Sequence, residues 1–240
     1  MSVDRLAELI RSRRPCVVLT GAGVSTESGI PDFRSPTGIW ANVDPMEYAS
    51  LRAFRANPEK VWSFYAKRIE LLTGAEPNEA HYALAELERR GFVSAIVTQN
   101  IDLLHTRAGS RDVVEVHGSI RTASCPECRA AYPLDESLLP VPRCADCGAV
   151  LKPDVVFFGE LLPSAAVDRA YELARGAALM LVVGSALEVY PVAELPLETV
   201  RTGGALAIVN RGQTALDGEA ELKIDGAAGE TLGEVLTVLG

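Results

Sequence analysis

Residues 92–105 read FVSAIVTQNIDLLH. Val93, Ala95, Ile96 and Val97 form a short apolar run of the kind found in strands buried on both faces of a parallel sheet. The run then turns polar at Thr98, Gln99, Asn100 and Asp102 and reaches His105 within two helical turns. Three more runs have the same character: CVVLT before GAGVS at 16–25, ALMLVVGSA at 178–186 and ALAIVN at 205–210. Helical stretches lie between them, such as EAHYALAELERRG at 79–91, which Gly91 is expected to stop. Strands alternating with helices imply an α/β fold, a Rossmann-like doubly wound parallel sheet. Ligands of such sheets sit beyond the carboxyl ends of the strands. TGAG, TQN, VGSA and VN occupy those ends, so the polar cluster after residue 97 is expected to face a ligand crevice.

Two stretches break this rhythm. Residues 31–78 hold PDFRSPTGIW and then helical material such as PEKVWSFYAKRIELL, and residues 118–152 hold four of the five cysteines. We therefore expect residues 1–30, 79–117 and 153–240 to form the Rossmann-like domain. A helical insert at 31–78 and a zinc ribbon at 118–152 are expected to form a smaller one.

The 240 residues are 48% hydrophobic and 23% charged, which is globular composition. A net charge of −9 argues against nucleic acid as a partner and is compatible with basic peptide segments. The N-terminal MSVDRLAELIRSRRP reads as an amphipathic helix ended by Pro15 rather than as a signal peptide. No apolar run approaches the ~18 residues that span a bilayer. The expectation is a soluble cytoplasmic protein without a membrane partner.

Cys125-Pro-Glu-Cys128 and Cys144-Ala-Asp-Cys147 have the spacing of a zinc ribbon. Four thiolates fill a tetrahedron and leave no open position, so the ion would be structural. The competing readings, two disulfides or a redox pair, suit a cytosolic chain poorly. Cys16 opens a buried strand and reads as an inert core thiol. Gly21-Ala22-Gly23-Val24-Ser25-Thr26 lets backbone approach a pyrophosphate, with a helix expected to start near Ser25 or Thr26. Alone this is weak: Thr26 stands where a third glycine belongs, and no strand ending in an acid follows about 20 residues on. A tight turn without a ligand remains the alternative. His117 follows VVEV at the seam between the two parts and is a candidate general base. His81 reads as packing or capping a helix, and His105 as orienting its loop.

The order of these motifs resembles the sirtuins, NAD-dependent protein lysine deacylases. The resemblance runs through GAGVSTESGIPDFRS, TQNIDLLH, VEVHGS, the two C-x-x-C pairs, PDVVFFGE and GSALEVYPVAELP to IVN. Ser185-Ala186 stands where many members have Thr-Ser or Ser-Ser. The resemblance implies NAD as a co-substrate cleaved at its nicotinamide–ribose bond, one structural zinc ion, and acyl-lysine proteins or peptides as partners of a monomeric enzyme. It implies His117 as the base and Asn100 and Gln99 on the ribose. Asp102 with Ile101 would hold the nicotinamide carboxamide. Gly21, Ala22, Gly23, Ser25 and Thr26 would meet the pyrophosphate, with Arg34 near it. Phe33 would cover the reactive ribose, and Gly184, Ser185 and Asn210 would meet the adenosine half. Val155, Val156, Phe157, Phe158, Gly159 and Glu160, with Val189 opposite, resemble two strands that flank the substrate peptide. Tyr65 and Arg68, three apart on a helix, resemble the Y-x-x-R pair of members that remove succinyl and malonyl groups. Protein ADP-ribosylation and non-catalytic NAD sensing are the alternative functions.

Overall fold

A computed structural model describes residues 2–240, the side chain of Glu136 apart. The chain begins with α1 (Ser2–Ser12) and β1 (Cys16–Thr20), then passes through the insert helices α2 (Pro45–Tyr48), α3 (Leu51–Ala56) and α4 (Pro58–Gly74). It returns by α5 (Glu79–Arg89), β2 (Val93–Thr98), α6 (Leu104–Arg107) and β3 (Val113–Glu115). Three strands follow, β4 (Gly118–Ser124), β5 (Ala131–Pro133) and β6 (Lys152–Val155). The last stretch is α7 (Ser164–Gly176), β7 (Leu179–Val183), α8 (Leu195–Arg201), β8 (Ala205–Val209), β9 (Leu222–Ile224) and α9 (Ala228–Leu239).

Six strands make a parallel sheet in the order β3-β2-β1-β7-β8-β9. Residues alternate between two cores, as a period of two requires. Val18, Ile96, Leu181 and Ala207 meet α1, α5 and α9 on one face. Leu19, Val97, Met180, Val182 and Ile208 meet α7 and α8 on the other. Burial is complete on β1, β7 and β8, which is why these segments lack amphipathic alternation. Desolvation there pushes the Cys16 thiol up to about 12, as expected of an inert core residue. The chain order reverses between β1 and β7, so the crevice beyond their carboxyl ends is the place for a ligand.

β4 pairs antiparallel with both β5 and β6 in a separate sheet. This sheet and the insert share one core: Val61, Trp62, Ile69 and Leu72 of α4 pack with Ile120, Ala123, Leu151 and Val155. Trp62 Nε1 donates to the Leu151 carbonyl at 2.7 Å, satisfying a polar atom of a fully buried ring. Because β6 pairs with β4, residues 153–155 continue the small sheet before the chain leaves it.

Two expectations need correction. No α-helix starts at Ser25 or Thr26. Residues Ala22–Ser28 form a 3-10 turn that Gly29 ends in the left-handed region, φ 82°. The tighter winding follows from the Gly23 N–H, which bonds the Gly184 carbonyl of the neighbouring loop at 2.8 Å. The segments 156–159 and 186–191 are not sheet strands either. Apart from an isolated bridge between Phe158 and Ser50, they run as irregular chain along the crevice. No helix among the described residues is long and apolar enough to cross a membrane.

Candidate active site

The site starts where two loops meet backbone to backbone. Gly184, at φ 62°, would place a Cβ 2.2 Å from the Val24 nitrogen, and one on Gly23 would lie 2.8 Å from the Gly184 oxygen. Side chains are excluded at this contact, so peptide groups alone form it. Ser25 follows, 1% exposed. Its hydroxyl donates to Asp102 Oδ2 at 2.8 Å and accepts from Asn100 Nδ2 at 3.0 Å. Asn100 Nδ2 also donates to the Gly21 carbonyl at 3.1 Å, and Asp102 Oδ1 accepts from the Leu104 N–H at 3.0 Å. The end of β2 is thereby tied to the loop after β1.

His81 joins this network. Asn78 caps α5, His81 Nδ1 accepts from the Asn78 N–H at 3.3 Å, and Nε2 lies 3.4 Å from Ser25 Oγ. Burial pulls its pKa down to about 4, with Asp102 and Glu27 opposing. His105 bonds the Thr20 hydroxyl at 2.9 Å, and burial pulls it to about 3, with His81 adding to the fall. Both imidazoles are therefore neutral at pH 7. The capping reading of His81 is right but incomplete, because its other nitrogen faces the site. The signal was an Asn three residues ahead of a His at a helix start.

His117 sits half-buried at the seam. Its Nδ1 is 3.1 Å from the Gln99 carbonyl, an acceptor only, so Nδ1 carries the proton and Nε2 keeps a free lone pair. Desolvation lowers its pKa below the ordinary 6.5, and the bond to Gln99 opposes the shift. Gln99 Nε2 in turn reaches Ser185 Oγ at 3.0 Å.

Two cavities meet at His117, sharing Ala22, Phe33, Arg34, Gln99, Asn100, His117 and Val189 as walls. The first is largely apolar and adds Ser25, Ile101, Asp102, Tyr65, Arg68 and all of residues 155–160. Tyr65 is 6% exposed, its ring 5.1 Å from that of Phe157, while Arg68 Cζ lies 4.9 Å from the Phe33 ring centre. Arg68 is thus half-buried on the cavity wall and is not a solvated face residue. Trp40, Phe64 and Tyr190 also line this wall and were not singled out in the sequence. The second cavity adds Gly21, Gly23, Gly184, Ser185 and Asn210, with Arg211 and Glu188. Arg34 Nε is 3.5 Å from Glu188 at its mouth. Thr26 lies outside both walls, its hydroxyl donating to the Gly23 carbonyl at 2.9 Å. Glu160 borders the first cavity, but its Oε2 is occupied by the Phe157 N–H at 2.8 Å.

The four cysteines of the small sheet come together. Their sulfurs lie within 4.8 Å of one another, with separations of 3.4, 3.5 and 3.8 Å among them. Zn–S bonds of about 2.3 Å set a tetrahedron edge of about 3.8 Å, so the donor set fits a zinc ion. Matching turns present the two pairs: Arg129 N–H bonds the Cys125 carbonyl at 3.0 Å and Gly148 N–H the Cys144 carbonyl at 2.9 Å. No open coordination position remains, and the cysteines line neither cavity.

A parallel sheet with a switch-point crevice, a glycine-lined floor and a four-cysteine zinc site define a dinucleotide-binding α/β protein with a structural metal module. The model of the Sir2 family matches residues 21–191. The chain is 45% identical over 238 residues to the NAD-dependent protein deacetylase 1 of Pyrobaculum aerophilum, covering 98% of this chain and 93% of that protein. It is 43% identical to the NAD-dependent protein deacylase 1 of Archaeoglobus fulgidus, with 97% and 96% covered. A solved Sir2 complex with deacetylated p53 peptide and 3'-O-acetyl ADP-ribose superposes with a TM-score of 0.94 at 42% identity, covering 99% and 98% of the two chains. A second, Sir2Tm bound to a propionylated peptide, gives 0.90 at 41% identity with the same coverage. This chain belongs to the Sir2 family.

Proposed function

We propose that the chain is an NAD-dependent protein lysine deacylase that acts on acetyl-lysine and also on succinyl- or malonyl-lysine. The relatives' names and the ligands of the solved complexes support the activity. The single observation that carries it is the imidazole of His117 on the common wall of both cavities, with Nε2 unprotonated.

In this reading the polar cavity takes the dinucleotide and the apolar one the acylated lysine. The pyrophosphate lies along the Gly21–Ala22–Gly23 turn, where Ala22 lines both cavities, with Arg34 beside it, and Gly184, Ser185 and Asn210 hold the adenosine half. Asn100 and Gln99 hold the ribose. Their amides can donate to and accept from hydroxyls without placing a fixed charge beside developing positive charge. Asp102, with Ile101, holds the nicotinamide carboxamide. The bound dinucleotide supplies an electrophilic ribose carbon, and Phe33 shields that carbon from water. The substrate's acyl oxygen displaces nicotinamide from that carbon. His117 Nε2 then takes the proton of a ribose hydroxyl, which captures the acyl carbon, and one water releases free lysine, leaving nicotinamide and O-acyl-ADP-ribose as the other products. Residues 155–160 and Val189 flank the peptide, which adds between them as an extended segment. Tyr65 and Arg68 meet an acyl carboxylate, Arg68 offering a two-pronged grip.

The same reading divides the chain into a dinucleotide domain and a small domain of insert plus ribbon. It has the protein work in the cytoplasm, where thiols stay reduced for metal, and as a single chain, because one chain supplies both cavities. The test is nicotinamide release and product mass with acetylated and succinylated peptides. Peptide-dependent release with O-acyl-ADP-ribose is expected. Release that transfers ADP-ribose to protein, or binding without release, overturns it.

A further inference from the structure

We infer that Lys152 is a positioning residue for the substrate peptide, acting through the loop that follows β6. The inference rests on the reading of the apolar cavity as the acyl-lysine site. Lys152 Nζ donates to the carbonyls of Pro153 and Val155 at 3.1 and 2.8 Å and reaches Glu160 Oε2 at 2.9 Å. It also lies 4.2 Å from the centre of the Phe157 ring. All three donors of the ammonium are used, and its charge faces an aromatic surface. The same Glu160 oxygen accepts the Phe157 N–H, and the Glu160 N–H closes back on the Phe157 carbonyl at 3.0 Å. Residues 152–160 are therefore wrapped round one cation. The pair is shielded, with side chains 16% and 21% exposed, so solvent and salt weaken it less than a surface pair.

The other ties of this loop are backbone bonds and the buried ring of Phe157, which packs on Tyr65 and Phe54. Phe158 exchanges bonds with Ala49 and Leu51 at 2.8 and 3.0 Å, and the Val156 N–H donates to the His117 carbonyl at 2.9 Å. Lys152 is thus the tie made by a side chain that lines neither cavity. Its removal loosens Phe157 and the segment beside the peptide. None of residues 155–160 lines the polar cavity, so dinucleotide binding is expected to escape the effect.

The test is Lys152→Met, which keeps the apolar stem, with Lys152→Arg as the conservative control. For Lys152→Met, KM for acyl-peptide is expected to rise about tenfold or more while the dissociation constant for NAD stays within about twofold. Amide exchange at Phe157 and Glu160 is expected to quicken about tenfold, with β7 and β8 unchanged. Lys152→Arg keeps a cation for the pair and the ring, and is expected to restore peptide KM to within about threefold. Unchanged exchange at Phe157 and Glu160, or NAD affinity falling in step with peptide affinity, overturns the inference. Should the wild type release no nicotinamide with any acyl-peptide, the reading of the cavity fails, and the exchange rates still decide whether Lys152 holds the loop.

Discussion

The two sheets are held together by different means. β1, β7 and β8 are buried at every residue, and the parallel sheet is packed by helices on both faces. The small sheet has strands of three, four and seven residues with mixed exposure, and its core includes Cys125 and Cys144 beside the apolar residues of α4. One sheet is stabilised by apolar area alone, the other by a shared apolar core together with four sulfurs placed for one ion. The first can be rigid without a ligand. The second can be assembled or dismantled by metal while its neighbour persists. Both cavities lie where these two kinds of structure meet.

The largest effect tests that contrast directly. Removing the metal, or Cys144→Ser, forfeits on the order of 10–16 kcal/mol of apparent binding energy. The small sheet is expected to lose its amide dispersion in NMR spectra while β1, β7 and β8 keep theirs. A well-folded active metal-free protein, or a metal content far from one ion per four cysteines, would break the comparison.

His117→Ala sharpens it at the seam. A lost general base slows turnover by roughly 10²–10⁴-fold. NAD binding, measured by calorimetry, is expected to stay near the wild-type value. Near-normal turnover in the purified variant removes His117 from the mechanism.

Gly184→Ala probes the ligand-free rigidity of the larger sheet. The positive φ alone costs about 1–3 kcal/mol, and the close approach to Val24 adds to it. A lower denaturation midpoint together with weaker NAD binding is expected. An unchanged midpoint would show that the loops yield, against the idea of a rigid floor.

Arg68→Met, on the insert side, is expected to raise KM for succinyl-lysine peptide about tenfold, roughly the worth of one charge-assisted contact. KM for acetyl-lysine peptide should change little. Equal effects on both, or no succinyl activity in the wild type, rules the pairing out.

The smallest effect concerns pH. Burial lowers the pKa of His117, and the base works when neutral. Activity should therefore be flat through pH 7 and fall only as pH drops below about 6.5, the ordinary histidine value. An acidic limb centred above 7 contradicts that environment.

Central strands were legible in the sequence because burial on both faces leaves an unmistakable apolar run. The edge strands Val113–Glu115 and Leu222–Ile224 were not, since three half-covered residues carry no pattern. Cysteine spacing predicted the sulfur cluster because metal geometry fixes it locally. The shape of the glycine loop escaped because it depends on Gly184, more than 150 residues away, and not on local propensity. Glu160 borders the apolar cavity, and its Oε2 also takes Lys152 and the Phe157 N–H, a link that no local pattern announces. Trp40 and Phe64 were not singled out in the sequence, and only the packing of the insert makes them a cavity wall.

The cap at the start of α5 has a consequence for anyone surveying variants of this chain. Asn78 and His81 close the helix, and the same imidazole touches Ser25, which holds Asn100 and Asp102. Substitutions there alter how much protein accumulates and how well each molecule works at once. A screen scored on cellular output alone would merge the two and rank these positions as uniformly intolerant. Scoring abundance and turnover per molecule separately would divide them: Asn78 variants should lose mainly abundance, and His81 variants that keep the cap should lose mainly turnover.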